Sequence, residues 1–239
     1  MEINFLHLYS NLMNLYGEYG NINILKARIE EQGIKVNIIE KSLDDEIKFN
    51  DVDFVYCGSG TEKNKKVALE HLKTYGDSFK EFIKNGGPCL FTGNSLELLG
   101  KHIKTSDKTL DAIGIFNFDV VELPERVTAD VILKSDKFEK EVVGFINKQS
   151  RIENNDDALF KIVYESGLTE SNNKEGFMQN NLIASYLIGP LLVKNPEILK
   201  FYVDKIITKK YKDFKIKEIG HKNEEEGYNL TLSELTKRK

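Results

Sequence analysis

Across the first two-fifths of the chain, short β-branched runs alternate with segments of helical period, and no other feature of the sequence constrains the fold as strongly. Ile3 to Tyr9 reads as a strand. Asn21 to Gln32 carries apolar Ile22, Ile24, Leu25 and Ile29 at helical spacing, and Gly33 stops it. Ile34 to Ile39 and Val52 to Cys57 read as further strands. A helical stretch from about Lys65 to Lys84 follows and ends at Asn85-Gly86-Gly87-Pro88. Cys89 to Thr92 is then the next strand. Strands joined by helical crossovers run parallel and bury both faces, so the expected fold class is α/β, a mostly parallel sheet flanked by helices. Ile115 to Leu123, Arg126 to Leu133 and Glu141 to Asn147 succeed one another without intervening helices, which predicts an antiparallel extension. Pro196 to Ile207 predicts a helix with proline in its first turn.

The segment from Leu90 to Gly100 has the layout of a nucleophile elbow. A strand that stops at Thr92, small turn-formers Gly93, Asn94 and Ser95, and a short apolar helix closed by Gly100 project one residue at the sheet's C-terminal edge. The helix start offers free N–H groups, which favour an anion or an attacked carbonyl. A second corner, Gly58-Ser59-Gly60-Thr61, follows the neighbouring strand, and its N–H groups complete an oxyanion-type pocket. Both corners equally serve the ordinary needs of tight strand-to-helix turns. The residue that projects, however, is Gly93, which carries no nucleophile.

Composition narrows the remaining classes. Hydrophobic residues make up 40% and charged residues 30% of the 239 positions, which suits a globular chain. A net charge of -4 supplies no basic field for nucleic acid. No apolar run reaches the roughly 18 residues of a membrane span, and the N-terminus lacks a basic stretch leading into an apolar one, so a cytoplasmic location is expected. Cys57 and Cys89 fall on neighbouring strands, where a small core hydrophobe is the ordinary role. Neither a disulfide, a metal site nor a cofactor is expected. From Lys209 onward the sequence turns to Lys, Glu, Asn and Gly, so the organisation expected is one domain over 1–207 and a charged tail over 208–239, either a surface helix or a partly disordered end.

Several separated segments carry a resemblance. They are His7-Leu8-Tyr9, Leu12 to Gly17, Gly20-Asn21-Ile22, the Gly58-Ser59-Gly60 corner, the elbow ending Leu98-Leu99-Gly100, Val143-Gly144-Phe145, Tyr186 to Leu192, and Lys194-Asn195-Pro196. In colinear order over most of 1–207, they resemble the glutaminase subunits of bacterial lipid II isoglutaminyl synthases. Those belong to the cobyric-acid-synthase-type class I glutamine amidotransferases, whose sheet is flavodoxin-like. In that family the elbow reads Cys, two glycines, an aromatic and Gln, and a later segment reads Tyr-Leu-His-Gly-Pro. Laid on this chain without gaps, the Cys falls on Gly93, the glycines on Asn94 and Ser95, the Gln on Glu97 and the His on Ile188. The family segment Gly-Phe-Glu-Asn-His appears as Gly144-Phe145-Ile146-Asn147-Lys148. Arg126 falls where the family has an arginine that helps to hold glutamine.

Glutamine hydrolysis of this kind needs a thiolate to attack the side-chain amide and an imidazole to generate it and protonate the leaving ammonia. Glycine and isoleucine do neither, so the resemblance implies a subunit without glutaminase activity. It further implies a heterodimer in which the chain serves as scaffold or regulator for an ATP-using, Mur-ligase-like partner that amidates the glutamate of the lipid II stem peptide. Two other readings are carried. One is a binding protein that holds glutamine or a small anion at the elbow, with Gly58, Ser59, Gly60, Asn94, Ser95 and Arg126 as ligand-binding candidates. The other is an active enzyme whose nucleophile has moved to Cys57, Cys89 or Ser95, although His7, His71, His102 and His221 are poorly spaced to serve any of them.

Overall fold

The computed structural model describes residues 1–154, 156–167 and 173–238; residue 239, the end of the expected tail, lies outside them. Strands β1 (Glu2–Leu8), β2 (Lys35–Lys41), β3 (Phe54–Cys57) and β4 (Cys89–Thr92) alternate with helices α1 (Tyr19–Glu30), α2 (Glu62–Lys73) and α3 (Gly76–Lys84). Strands β5 (His102–Lys104), β6 (Thr109–Asp111), β7 (Asp119–Ser135), β8 (Phe138–Glu153), β9 (Phe160–Gly167) and β10 (Lys174–Glu175) follow. The chain then runs through β11 (Phe177–Gln179), β12 (Leu182–Ser185) and β13 (Leu187–Ile188) into α4 (Leu191–Lys194), α5 (Pro196–Lys210) and α6 (Lys222–Lys237).

The first sheet has the order β11-β12-β4-β3-β1-β2, parallel throughout except for the β11–β12 hairpin at its edge. Its central strands β3 and β4 are buried at every residue, as both faces lie under helices. The second sheet is largely antiparallel, built on the long β7–β8 hairpin, with β5, β6, β9 and β10 beside it and β13 paired to β8. An α/β architecture, a mostly parallel sheet flanked by helices with an antiparallel extension, is therefore what the chain adopts.

Two local differences from the sequence reading have physical causes. The single helix expected from Lys65 to Lys84 breaks into α2 and α3. Thr74 turns its hydroxyl back onto the His71 carbonyl at 2.7 Å, and Tyr75 leaves helical geometry at φ -112°, ψ 12° just before Gly76. The strands expected at Ile115 to Leu123 and Arg126 to Leu133 are one element, β7, whose pairing with β8 jumps between Glu122 and Val127. Pro124 stands in that interval and has no N–H for the ladder, so the strand continues past a bulge instead of ending. The charged tail, expected as a surface helix or a partly disordered end, carries helix α6, which buries Tyr228 and Leu235 against Ile132 and Val143 of the β7–β8 hairpin.

Candidate functional site

At the C-terminal end of β4 the chain turns through Gly93, whose φ of +61° suits glycine and strains any other residue. Residues Gly93–Leu99 form the short helix expected after the elbow, a buried 3-10 helix that ends at Gly100. Ser95 contributes to its tight turns, because its hydroxyl lies 2.8 Å from the Thr92 carbonyl and 2.9 Å from that of Cys57. At the start of these turns the Asn94 N–H faces Ser59 Oγ at 3.5 Å.

The two positions that the resemblance assigns to nucleophile and base lie side by side. A Cβ built on Gly93 would stand 2.9 Å from Ile188 Cγ2, and 2.5 Å from both Cβ and Oγ of Ser59. Strand β13 delivers Ile188 through its pairing with Phe145 of β8. The space in front of the elbow is thus filled by Ser59 and Ile188. A side chain at Gly93 would therefore meet both of them.

The glycine corner is closed as well. The Gly60 N–H donates to Asn94 Oδ1 at 2.9 Å, and Asn94 Nδ2 donates to the Gly60 carbonyl at 2.8 Å. Gly58 packs against the Met13 carbonyl and the Glu18 side chain. Arg126 takes no part in these contacts. It is exposed on β7 and donates from Nη1 to Asn147 Oδ1 at 2.8 Å, while Asn147 Nδ2 donates to Tyr16 Oη at 3.3 Å.

Two buried polar clusters behind the elbow were missed by sequence reasoning. Glu18, fully buried, accepts the Gly189 N–H at 2.8 Å, the Tyr56 hydroxyl at 3.0 Å and the Thr92 hydroxyl. Burial pushes its carboxyl upward, against the pull of these donors. It ties the segment carrying Ile188 to the end of β4. The only sequence signal was its place between Gly17 and Gly20 of a segment that carries the resemblance. Glu97, which the resemblance sets in the place of the family's glutamine, forms a buried ion pair with Lys65, and also accepts from Ser150 Oγ at 2.6 Å. Burial alone would lower the Lys65 ammonium, but Glu97 and Glu62 outweigh it and hold the group above its ordinary range.

The substitute nucleophiles have no activation. Cys57 and Cys89 are buried in β3 and β4, and burial pushes both thiols far up, away from the thiolate. Ser95 is turned onto carbonyl acceptors, with no imidazole among its hydrogen-bond partners. The histidines have partners of their own: His7 packs on the Tyr56 ring, His71 bonds Tyr9 Oη at 3.0 Å, His102 bonds Asp119 at 2.8 Å and His221 pairs with Glu31 at 3.3 Å. Among the described residues, no group of three or more His, Cys, Asp or Glu side chains is arranged to hold a metal ion. Nor is any helix there long and apolar enough to cross a membrane.

Residues 4–196 match the CobB/CobQ-like glutamine amidotransferase domain. The chain belongs to this family. It is 31% identical to the lipid II isoglutaminyl synthase (glutamine-hydrolyzing) subunit GatD of Staphylococcus aureus, over all of this chain and 98% of that protein. The GatD subunit of Streptococcus pneumoniae is 30% identical over 88% of this chain and 82% of its own length. Among solved structures, PurLQS from Thermotoga maritima superposes with a TM-score of 0.56 at 12% identity, covering 88% of this chain and 99% of that one. A glutamine amidotransferase from the same organism gives 0.51 at 13% identity, with 99% and 97% covered. At such low identities these two likenesses speak for the fold alone. This member of the CobB/CobQ-like family is therefore a glutamine amidotransferase-like protein related to lipid II isoglutaminyl synthase subunits.

Proposed function

We propose that this chain is a non-hydrolysing, glutamine amidotransferase-like subunit that serves as scaffold or regulator for an ATP-using, Mur-ligase-like partner in the cytoplasm. The partner would amidate the glutamate of the lipid II stem peptide, with ammonia reaching it by a route other than this chain's elbow. One observation carries the reading: Gly93 and Ile188 occupy adjoining space at the elbow, where hydrolysis would need a thiolate beside an imidazole. Two further facts support it. No thiol in the chain is placed to ionise, and the fold around the elbow is kept intact by the buried Glu18 and Lys65–Glu97 clusters. The likeness to GatD over the whole length supports a place in the same kind of two-subunit assembly.

The deciding experiment is ammonia release from glutamine by the purified chain, alone and with whatever Mur-ligase-like protein copurifies with it. The expected result is no release above background in either case, with amidation by the complex sustained by ammonium salts. Turnover from glutamine that disappears in Cys57→Ala, Cys89→Ala or Ser95→Ala would establish a relocated nucleophile and overturn the reading.

A further inference from the structure

The side chain of Asn94 is a primary carboxamide, the same functional group that glutamine presents for hydrolysis. In the glycine corner every hydrogen-bonding valence of this carboxamide is engaged. Oδ1 accepts from the Gly60 N–H at 2.9 Å and from the Ser59 hydroxyl at 3.2 Å. Nδ2 donates to the Gly60 carbonyl at 2.8 Å and to Glu62 Oε1 at 3.2 Å. Two lone pairs and two N–H groups are the full capacity of a carboxamide. The partners also fix its orientation, because a flipped amide would set Nδ2 against the Gly60 N–H and Oδ1 against a carbonyl and a carboxylate. Asn94 itself is only 4% exposed, so these bonds form away from water, where an unmatched partner is costly.

We propose that the corner of Ser59, Gly60 and Glu62 is a primary-carboxamide site whose permanent occupant is the chain's own Asn94. The recognition is specific to an amide and excludes a simple anion. A carboxylate in the same place would set oxygen against the Gly60 carbonyl and bring a second negative charge to Glu62, with no donor for either. A free amide enters only by displacing Asn94, and a group carried on the same chain loses no translational freedom on binding, so free glutamine competes poorly. The site is thereby held shut, independently of whether a partner docks on the protein. The inference rests on the local geometry and stands or falls separately from the scaffold role.

Chemical rescue tests it. Asn94→Gly removes the occupant, and its melting temperature is measured with and without acetamide, L-glutamine and, as the anion control, acetate. Acetamide and L-glutamine at about five times their dissociation constants are expected to raise the melting temperature of Asn94→Gly by about 2–4 °C. Acetate is expected to leave it unchanged, and the unsubstituted protein to respond to none of the three. Should Asn94→Gly fail to accumulate as folded protein, Asn94→Ala removes the same carboxamide with less backbone freedom and is measured in the same way. A variant that gains nothing from either amide, an equal gain from acetate, or an equal response of the unsubstituted protein each overturns the proposal.

Discussion

Ile188 lies where a side chain on Gly93 would have to go: the Cβ of any residue introduced at Gly93 meets Ile188 Cγ2 at 2.9 Å. The backbone there holds φ +61°, and Ser59 crowds the same Cβ at 2.5 Å. Left-handed strain of about 1–3 kcal/mol and overpacking of about 1–3 kcal/mol both oppose a side chain. Gly93→Ala is therefore expected to destabilise the fold by about 2–6 kcal/mol in urea unfolding. Combining it with Ser59→Gly should recover part of that loss, because only the steric component involves Ser59. A neutral Gly93→Ala would show that the elbow has room after all.

The buried Lys65–Glu97 pair calls for a different experiment. Lys65→Met leaves Glu97 buried without its cation and should cost about 3–5 kcal/mol. Glu97→Gln in the same background removes the stranded charge while keeping an acceptor for Ser150, so the double variant should regain most of the loss. The pair acts as one unit in this account, and additive single-variant losses in a double-mutant cycle would refute it.

How much of this was legible in the sequence depends on the range of the interaction. β4 was placed at Cys89 to Thr92 from its apolar run and flanking glycines, and α5 from Pro196 at its first turn, because those signals are local. The parallel order of β12 beside β4 had no local signal, as it joins residues far apart in the chain. The elbow was recognisable from Gly93-Asn94-Ser95, yet its closure was not. Nothing in the spacing says that Asn94 turns toward Gly60 or that Ile188 arrives from β13. Glu97 was singled out only by the resemblance, in the place of the family's glutamine, and only the fold brings Lys65 to it. Polar residues of the site were thus visible as types, while their engagement with one another is a property of tertiary packing.

Burial keeps both thiols protonated, which makes their reactivity a direct check on the relocated-nucleophile reading. Under native conditions at pH 8, iodoacetamide is expected to leave Cys57 and Cys89 unmodified over an hour, as judged by intact mass. In denaturant both should react within minutes. Rapid alkylation of either residue in the folded protein would mean that a thiol is open and ionised, contrary to the packing in β3 and β4.

Two buried groups should give the fold opposing pH dependences. Glu175 accepts the Tyr186 N–H at 2.6 Å and the Ser185 hydroxyl at 3.0 Å, but burial dominates and raises its carboxyl from 4.5 to about 7. Its folded form therefore binds a proton that the unfolded chain has already released, and stability is lost as pH rises from 4.5 toward 7. His7 is the reverse. Desolvation lowers it from 6.5 to about 4, so stability is full above 6.5 and lost as pH falls toward 4. Each contribution spans about 3 kcal/mol and their slopes are opposite between these limits, so they largely cancel there. Relative to the unsubstituted protein, Glu175→Gln should lose stability on going from pH 7 to pH 5, and His7→Phe should gain it. Glu18, which is also raised by burial, is unchanged in both comparisons and drops out of the difference. Urea midpoints at the two pH values read the effect. If both variants run parallel to the unsubstituted protein, the assignment of opposing protonation to Glu175 and His7 is wrong.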